Sequence, residues 1–520
     1  MTRTNYPKGR VLSISSDCKK IHTKDKKIRC NLYRGLVCAT FSKFLPAFTG
    51  RLRVVAMSDI RFSNFQLEKD TEYFLYIGEL KNYWLNRFLV DTLANVCNRK
   101  FDFIAIVPDV FEQYNYENLI VINPLIHSFT SKFGPNVCCR VSSKDFMSCV
   151  SNNRQVKSLI KQLLTRQHHL YIYMYESLPE MTLDEIPGVS ILGPSKTVAH
   201  RINSKIYQHE KLKGRLPLVD FRICENYEDL IKTVDSLWER WTDGIFVSKE
   251  YSAAGVNSMI AHSTSEVATI FFETGEPFFI SRYIPHNADP TVLAVAANEG
   301  DIFIAGIADQ HIEGGNRFTG STFPSVLSHS TCEKLKEYTS ITGKWLAGEG
   351  YRGIFGCDYL VDKDENIYFL EINARKQGTT LEFCCTLEQS LPKGSPTLTE
   401  LEYYAVTENL FPANTVEMRD NSRNLHWGTY NYKLKNTVHT NGYFPQYSGE
   451  REAFKRVADG KLKKDFMILE HTGSDFIVAE GSFIGRIVAL GQDHESVRQG
   501  LSQGIKAIEL TIDQQMIAEK

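Results

Sequence analysis

From Tyr73 onward, short runs of alternating or continuous apolar residues are interleaved with stretches whose apolar positions recur every three or four residues. Tyr73–Gly78 reads as a strand, Leu80–Val96 as a helix, and Phe103–Pro108 and Leu119–Pro124 as further strands. Gln155–Arg166 is an amphipathic helix feeding the strand Leu170–Tyr175, and Val189–Pro194 closes the unit. Strand–helix alternation of this kind predicts a small, mostly parallel sheet. After Ser195 the pattern changes. A helix over Val198–Lys211 precedes a strand, Leu-Val-Asp-Phe-Arg-Ile, ending at Ile223. The helix Tyr227–Trp241 follows, then the strand Gly244–Lys249. Residues 270–375 are mostly strands, broken by a helix at Thr331–Gly348, and a further helix lies around Thr399–Leu410. A last small unit runs from Ser448 to Thr511, with strands Phe466–Glu470, Phe476–Glu480 and Arg486–Gly491 and the helix Asp493–Leu510. Residues 1–70 mix basic, polar and short apolar pieces, which read as an irregular extension or an edge hairpin.

One pair of strands carries chemistry. Gly353–Asp362 and Ile367–Arg375 flank the turn-forming Asp362-Lys-Asp-Glu-Asn366, an antiparallel hairpin. Side chains alternate along a strand, so Glu371 and Asn373 share a face. A register placing Asp358 opposite Glu371 gathers two carboxylates and an amide oxygen. Acids so close repel unless a cation neutralises them, and oxygen-only ligands suit magnesium. Arg375 and Lys376, just beyond, are placed to bind the phosphates that accompany such a metal. Asp362 and Asp364 are ordinary turn residues.

Upstream, Lys205 stands near the start of a helical segment, and Lys249 ends a strand before the small-residue loop Ser252–Ser258. Such a loop lets backbone N–H groups approach phosphate oxygens closely, although hairpin turns have the same composition. The strand from Pro277 runs into a connector at Arg282–Asp289 and resumes at Thr291. A connector of this type can present backbone atoms to an adenine edge, or serve only as a loop.

At 520 residues the chain is long enough for two to four domains. Its 42% hydrophobic and 23% charged content are those of an ordinary globular protein. The net charge of −1 offers no reason to expect nucleic-acid binding. Residues 1–65 hold 14 Lys/Arg against 3 Asp, a solvated tail or an interaction arm. No signal-peptide pattern opens the chain and no apolar run is long enough to span a membrane. The 12 cysteines are scattered without C-x-x-C spacing, which argues for reduced thiols in a cytoplasmic protein rather than a zinc site.

In this order, Lys205, Lys249 with its loop, the Ile280–Ile284 hinge, Asp358, Glu371 and Asn373 resemble the ATP-grasp superfamily of carboxylate–amine ligases. The most specific part is Gly-x-Asp-(x)12-Glu-Ile-Asn-x-Arg, and the resemblance spans roughly residues 70–510. It implies a mixed α/β and α+β architecture. Residues 1–70 would be a basic extension and 71–195 an α/β pre-grasp domain. Residues 196–430 would form the grasp (196–285 and 286–430), and 431–520 a small C-terminal α+β unit. It further implies ATP with magnesium, or manganese in its place, held by Asp358, Glu371 and Asn373. Lys205, Lys249, Ser252, Ala253 and Gly255 would contact the phosphates, Tyr283 and Ile284 the adenine, and Asp289 the ribose. Arg375 and Lys249 would stabilise the transferred phosphoryl group, and Arg317 the acid substrate. Two positions depart from the family pattern: Ser281-Arg282 replace the usual acidic hinge residue, and Glu250 follows Lys249 where proline is common.

The activity implied is ligation of a small acid and a small amine, amino acids or short peptides, through an acyl phosphate, by a protein that is commonly a homodimer. A purine-biosynthesis or carboxylase-type reaction, or a non-catalytic ATP-binding role, stays open at this point.

Overall fold

The computed structural model describes residues 61–62, 67–108, 118–125, 141–253, 256–271, 275–315, 317–418, 424–434, 436, 438–440, 449–469, 476–478 and 483–518. The basic extension expected over 1–70 lies almost wholly outside them.

Near-continuous apolar runs make the first sheet. Strands β1 (Arg61–Phe62), β2 (Glu72–Ile77), β3 (Phe101–Val107), β4 (Leu119–Val121), β5 (Leu170–Met174) and β6 (Val189–Ile191) pair in the order β1-β4-β3-β2-β5-β6. All but β1 run parallel. Such strands must be apolar on both faces because helices cover both. Helix α1 (Leu85–Cys97) packs Leu85, Phe88, Leu89 and Leu93 in one core with Phe74, Tyr76 and Phe103. On the opposite face, α2 (Ser143–Asn152) and α3 (Arg154–Leu164) bury Phe146, Val150, Val156 and Ile160 with Tyr73, Leu75 and Ile77. Asn153 separates those helices, and its side chain accepts the N–H groups of Gln155 and Val156 as an N-cap.

The helix expected over Val198–Lys211 is two: α4 (Lys196–Ile202) and α5 (Lys205–Leu212). The break is chemical. Ser204 takes extended backbone and its hydroxyl caps the Tyr207 N–H, so a new helix begins at Lys205. Next, β7 (Phe221–Cys224), α6 (Tyr227–Leu237), β8 (Ile245–Ala253), β9 (Val256–Ala261), α7 (Thr264–Ile270) and β10 (Phe278–Arg282) build an antiparallel sheet, β7-β10-β8-β9. Ile245, Val247, Met259, Ala261, Phe278 and Ile280 bury one face beneath α6 and α7.

The large sheet follows. Its first strands are β11 (Asp289–Ala296), β12 (Ile302–Glu313) and β13 (Arg317–Phe323), followed by α8 (His329–Gly348), β14 (Gly353–Val361) and β15 (Ile367–Asn373). Helices α9 (Thr380–Ser390) and α10 (Leu398–Thr407) lead to β16 (His426–Lys433), β17 (Val438–Thr440), α11 (Glu450–Ala458), β18 (Lys464–Leu469), β19 (Phe476–Val478), β20 (Phe483–Gly491) and α12 (His494–Ala518). Eight antiparallel strands pair in the order β15-β14-β11-β12-β13-β16-β20-β18, while β17 and β19 pair separately. The boundary expected at 430/431 therefore falls inside a strand, and β16, β20 and β18 extend the central sheet instead of forming one of their own. Gly320 makes that joint possible, because a Cβ there would lie 1.9 Å from the Thr429 carbonyl oxygen.

Two buried ion pairs fasten the layers. Lys376 and Glu402, 3% and 1% exposed, meet at 2.6 Å, and Lys376 also donates to the Met174 carbonyl at 3.1 Å. The Tyr173 hydroxyl donates to Glu402 at 2.9 Å, and the ammonium sits 4.0 Å from the Tyr173 ring centroid. Lys376, read as a phosphate binder, is instead a strut between the parallel sheet and α10. Arg486 bonds Glu382 at 2.5 Å and the Gly378 carbonyl at 2.7 Å, tying β20 to α9.

Removing one partner of a buried pair strands the other charge, at a cost of about 3–5 kcal/mol, whereas apolar replacement of both is often neutral. Glu402→Leu alone should therefore lower the denaturation midpoint markedly, and Lys376→Met with Glu402→Leu should recover most of it, as read from urea melts. His209 supplies a second test. Burial against Phe279, Phe221 and Phe369 lowers its imidazole to about 4, opposed by the Lys205 carbonyl. The unfolded chain then binds the extra proton first, so the fold loses stability as pH falls below about 6.5 towards 4. His209→Met should flatten that part of the stability–pH curve.

Candidate active site

The hairpin of β14 and β15 has the register expected of it: Gly356 faces Asn373, Cys357 faces Ile372, and Asp358 faces Glu371. Its turn is held by Asp362, whose carboxylate accepts the N–H groups of Asp364 and Asn366, both at 2.9 Å. On the other side of β14, Thr291 pairs with Asp358. Partners in an antiparallel ladder project from one face, so Thr291, Asp358 and Glu371 form a row across three strands.

β15 is the sheet's edge, and its open backbone is satisfied by α5 and the segments on either side of it. The buried Gln208 amide accepts the Ile372 N–H at 2.7 Å and donates to the Ile372 carbonyl at 2.9 Å. The Pro217 carbonyl accepts the Phe369 N–H at 2.8 Å, and the Asn203 side chain accepts that of Ala374 at 2.9 Å. A covered edge cannot recruit another strand, and here the cover also fixes the two residues flanking Asn373.

Within this frame Asp358 is 9% exposed and accepts three side-chain hydrogen bonds: Thr291 at 2.6 Å, Asn373 at 2.8 Å and Gln377 at 3.2 Å. Burial raises its carboxyl above the ordinary value, opposed by the Thr291 and Asn373 hydrogen bonds and by the charges of Arg375 and Lys205. Arg375 donates to the Asn373 amide oxygen at 2.7 Å and to the Tyr175 hydroxyl at 3.1 Å, and its guanidinium lies 5.3 Å from the Tyr175 ring centroid. Lys205, 8% exposed, forms an ion pair with Glu371. Burial lowers its ammonium to about 8, with Asp358 opposing the shift and Arg375 adding to it.

Two carboxylates and an amide oxygen in one row are a donor set for a hard cation, with phosphate oxygens and water completing the shell. The Lys205 ammonium against Glu371 shows that the row draws positive charge. These residues fit magnesium.

The other expected residues are distributed differently. Lys249 pairs with Phe278 across β8 and β10, so it leaves the sheet on the face covered by α6 and α7, and its ammonium lies 2.5 Å from Glu276. It is the expected phosphate lysine that the structure does not bring to the carboxylate row. Its neighbour Glu250 turns the other way and accepts the Ser204 hydroxyl at 2.5 Å, beside Lys205. Ser252 is half-buried in β8, Ala253 ends that strand, and Gly255 lies outside the described residues. The Tyr283 N–H is engaged by the Gly244 carbonyl at 3.0 Å, and the Ile284 carbonyl contacts His286 at 2.6 Å. The Ile284 side chain is buried with Val219 and Leu360. Asp289 pairs with His286 at 2.9 Å. Arg317 is exposed at the end of the β12–β13 hairpin and paired with Glu313, so it is not gathered with the acids either.

Sequence reasoning passed over Asn203, Gln208, Thr291, Gln377 and Tyr175. Gln377 lies two residues past Arg375 and could have been found by extending the motif. Thr291 becomes visible only once β11 is known to flank β14. Asn203 and Gln208 act on a segment more than 160 positions away, for which the sequence gives no local sign.

Residues 205–379 match the family model of the ATP-grasp domain. The chain is 20% identical over 229 residues to the [butirosin acyl-carrier protein]–L-glutamate ligase of Niallia circulans, covering 41% of this chain and 54% of that protein. It is 24% identical over 256 residues to the formate-dependent phosphoribosylglycinamide formyltransferase of Sulfurovum sp., covering 45% and 61%. The chain thus spans little more than half the length of these curated relatives. A solved biotin carboxylase from Campylobacter jejuni, in a βγ-ATP complex, shares the fold with a TM-score of 0.56 at 14% identity, covering 81% of this chain and 88% of that one.

The His286–Asp289 pair gives a direct check on this region. Burial alone would lower the His286 imidazole, but the hydrogen bond and charge of Asp289 and the Ile284 carbonyl hold it above its ordinary value. Its stabilisation is therefore complete below about pH 6.5 and fades as pH rises through the folded value. Asp289→Asn should lower the His286 midpoint in an NMR titration. The stability gap between wild type and variant should close as pH rises.

Proposed function

We propose, from the ATP-grasp domain that this chain carries over residues 205–379, that it is an ATP-dependent ligase joining a carboxylate to an amine. The observation that supports this most is the Asp358–Glu371–Asn373 row, set in register inside the matched segment with Lys205 and Arg375 beside it. In this reading the substrate carboxylate attacks the γ-phosphorus of ATP and the β–γ bridging P–O bond breaks, giving an acyl phosphate and ADP. The amine then attacks the acyl carbon, and phosphate leaves.

The protein's part is placement and charge. Asp358, Glu371 and Asn373 would hold magnesium, which spreads the negative charge of the phosphate oxygens. Lys205, still protonated for the most part at pH 7 with its value near 8, faces the same oxygens from α5. Arg375, braced by Asn373 and Tyr175, meets the transferred phosphoryl group. Ser204, Glu250 and the stacked His200–Tyr251 rings, 4.7 Å apart, join the β8 strand to α4 and α5. Closure of this side over the nucleotide would keep water from the acyl phosphate.

A second reading is favoured by the formyltransferase relative, whose name specifies formate. There the acid would be a one-carbon carboxylate and the acceptor a phosphorylated amine.

The test is ADP release from magnesium-ATP with amino acids, singly and in pairs, and with formate or bicarbonate. The expected result is ADP and phosphate formed in step only when a particular acid and amine are both present. Glu371→Ala should lower turnover by about 100-fold or more while the fold persists, as expected for loss of a charge-stabilising group. Full activity in that variant would contradict the metal assignment, and turnover that requires formate in place of an amino acid would favour the second reading.

A further inference from the structure

Helix α8 packs with α4 and α5 over Val292, Ala294, Phe355 and Cys357, on the face of the large sheet opposite the carboxylate row. Where the end of α8 meets the segment after α5 there is a cavity of about 380 Å³. Arg215, Glu299, Ile341, Lys344, Trp345 and Glu349 line it. A cavity of this size suits a small molecule, and sites for small molecules combine apolar or aromatic walls with a few polar groups.

The walls are held in place. Trp345 is 8% exposed, and its ring lies 6.0 Å from that of Tyr207. Glu349 accepts the Tyr207 hydroxyl and an Arg201 guanidinium N–H, both at 2.8 Å. Glu299 stands in the turn between β11 and β12, where the Asn298 side chain accepts the Gly300 and Asp301 N–H groups at 2.8 and 3.0 Å. The two cations are not engaged in this way. Among the described residues, neither the Arg215 nor the Lys344 side chain forms an ion pair or a hydrogen bond. Glu349 is taken by Arg201, so two unpaired cations share the cavity with one unpaired acid, Glu299. The balance is positive, with an indole in the wall. An anion on a flat ring complements both features.

The cavity is also joined to the candidate active site. Arg201 and Tyr207, which hold Glu349, belong to the same two short helices whose ends and middle carry Asn203 and Gln208. Asn203 accepts the Ala374 N–H and Gln208 clasps the Ile372 backbone, on either side of Asn373. A ligand spanning Arg215 and Lys344 ties the end of α5 to α8. Movement of α5 away from β15 must then release the ligand first.

We propose that this cavity is an effector site for a small aromatic anion, its carboxylate or phosphate on Arg215 and Lys344 and its ring against Trp345, and that occupancy steadies the clasp on β15. The site is separate from the carboxylate row and independent of which reaction the chain catalyses.

Isothermal titration calorimetry of the full chain with phenylacetate and with phenyl phosphate tests it. Phenylacetamide, without the charge, and inorganic phosphate, without the ring, are the counterparts. Saturable binding of at least one aromatic anion is expected, about 10-fold tighter than either counterpart, and the tighter anion shows whether carboxylate or phosphate is preferred. Arg215→Gln and Lys344→Gln, both at exposed positions, should each raise its Kd about 10-fold, as for loss of one charged hydrogen bond. Hydrogen exchange at the Ile372 and Ala374 amides should slow by about 10-fold at a probe concentration about ten times the Kd, because the opened state does not hold the ligand. No saturable binding, equally tight binding of phenylacetamide, or a Kd unchanged in both variants would overturn the site. Saturation with unchanged exchange at Ile372 and Ala374 would overturn its role as an effector site.

Discussion

Two carboxylates facing each other across an antiparallel ladder are the constraint on which the rest of this site depends. Asp358 and Glu371 are cross-strand partners, and like charges so placed destabilise a sheet unless something offsets them. Each has its own answer. Asp358 is buried and saturated by neutral or amide donors, Thr291, Asn373 and Gln377. Glu371, more exposed, takes the Lys205 ammonium. Each carboxylate thus has partners within the protein, and the row's oxygen atoms are the donors proposed for a cation.

The segment 373–377 is where the layers meet. Asn373 bonds Asp358, the Ala374 N–H goes to Asn203, and Arg375 reaches Tyr175. Lys376 pairs with Glu402, and Gln377 donates to Thr291. Five consecutive residues each contact a different element, so a shift in any of those elements is felt at the carboxylates. Buried pairs such as Lys376–Glu402 contribute little net stability against apolar replacements, but they fix where the parallel sheet and α10 sit relative to the hairpin. That registry is the more useful role for the proposed reaction, because catalysis by placement tolerates little displacement.

Much of this was legible in the sequence, for reasons that differ by element. The β14–β15 hairpin announced itself through period-two alternation around an Asp-rich turn, and its register follows once Glu371 and Asn373 are required to share a face. The parallel sheet was legible because continuous apolar runs alternate with helical spacing. Helix α9 was not, because Thr380 to Leu387 are all buried and leave no polar stripe to betray a period. The face of Lys249 was hidden for a related reason: its direction depends on which side of β8 the helices α6 and α7 cover. Lys376 could not be told from Arg375 by type or spacing. Only the distant Glu402 separates their roles. The continuity of the large sheet into β16 depends on a close approach at Gly320, which no local pattern records.

Asp358, Glu371 and Asn373 are proposed to hold the divalent cation of a bound nucleotide. The most direct measurement is electron paramagnetic resonance of Mn2+ titrated into the protein with ATP, in wild type and in an Asp358→Asn/Glu371→Gln double variant. If these residues hold the metal, wild type gives a protein-bound Mn2+–ATP signal that is lost from the folded variant. An undiminished bound signal in the double variant would place the metal elsewhere and contradict it.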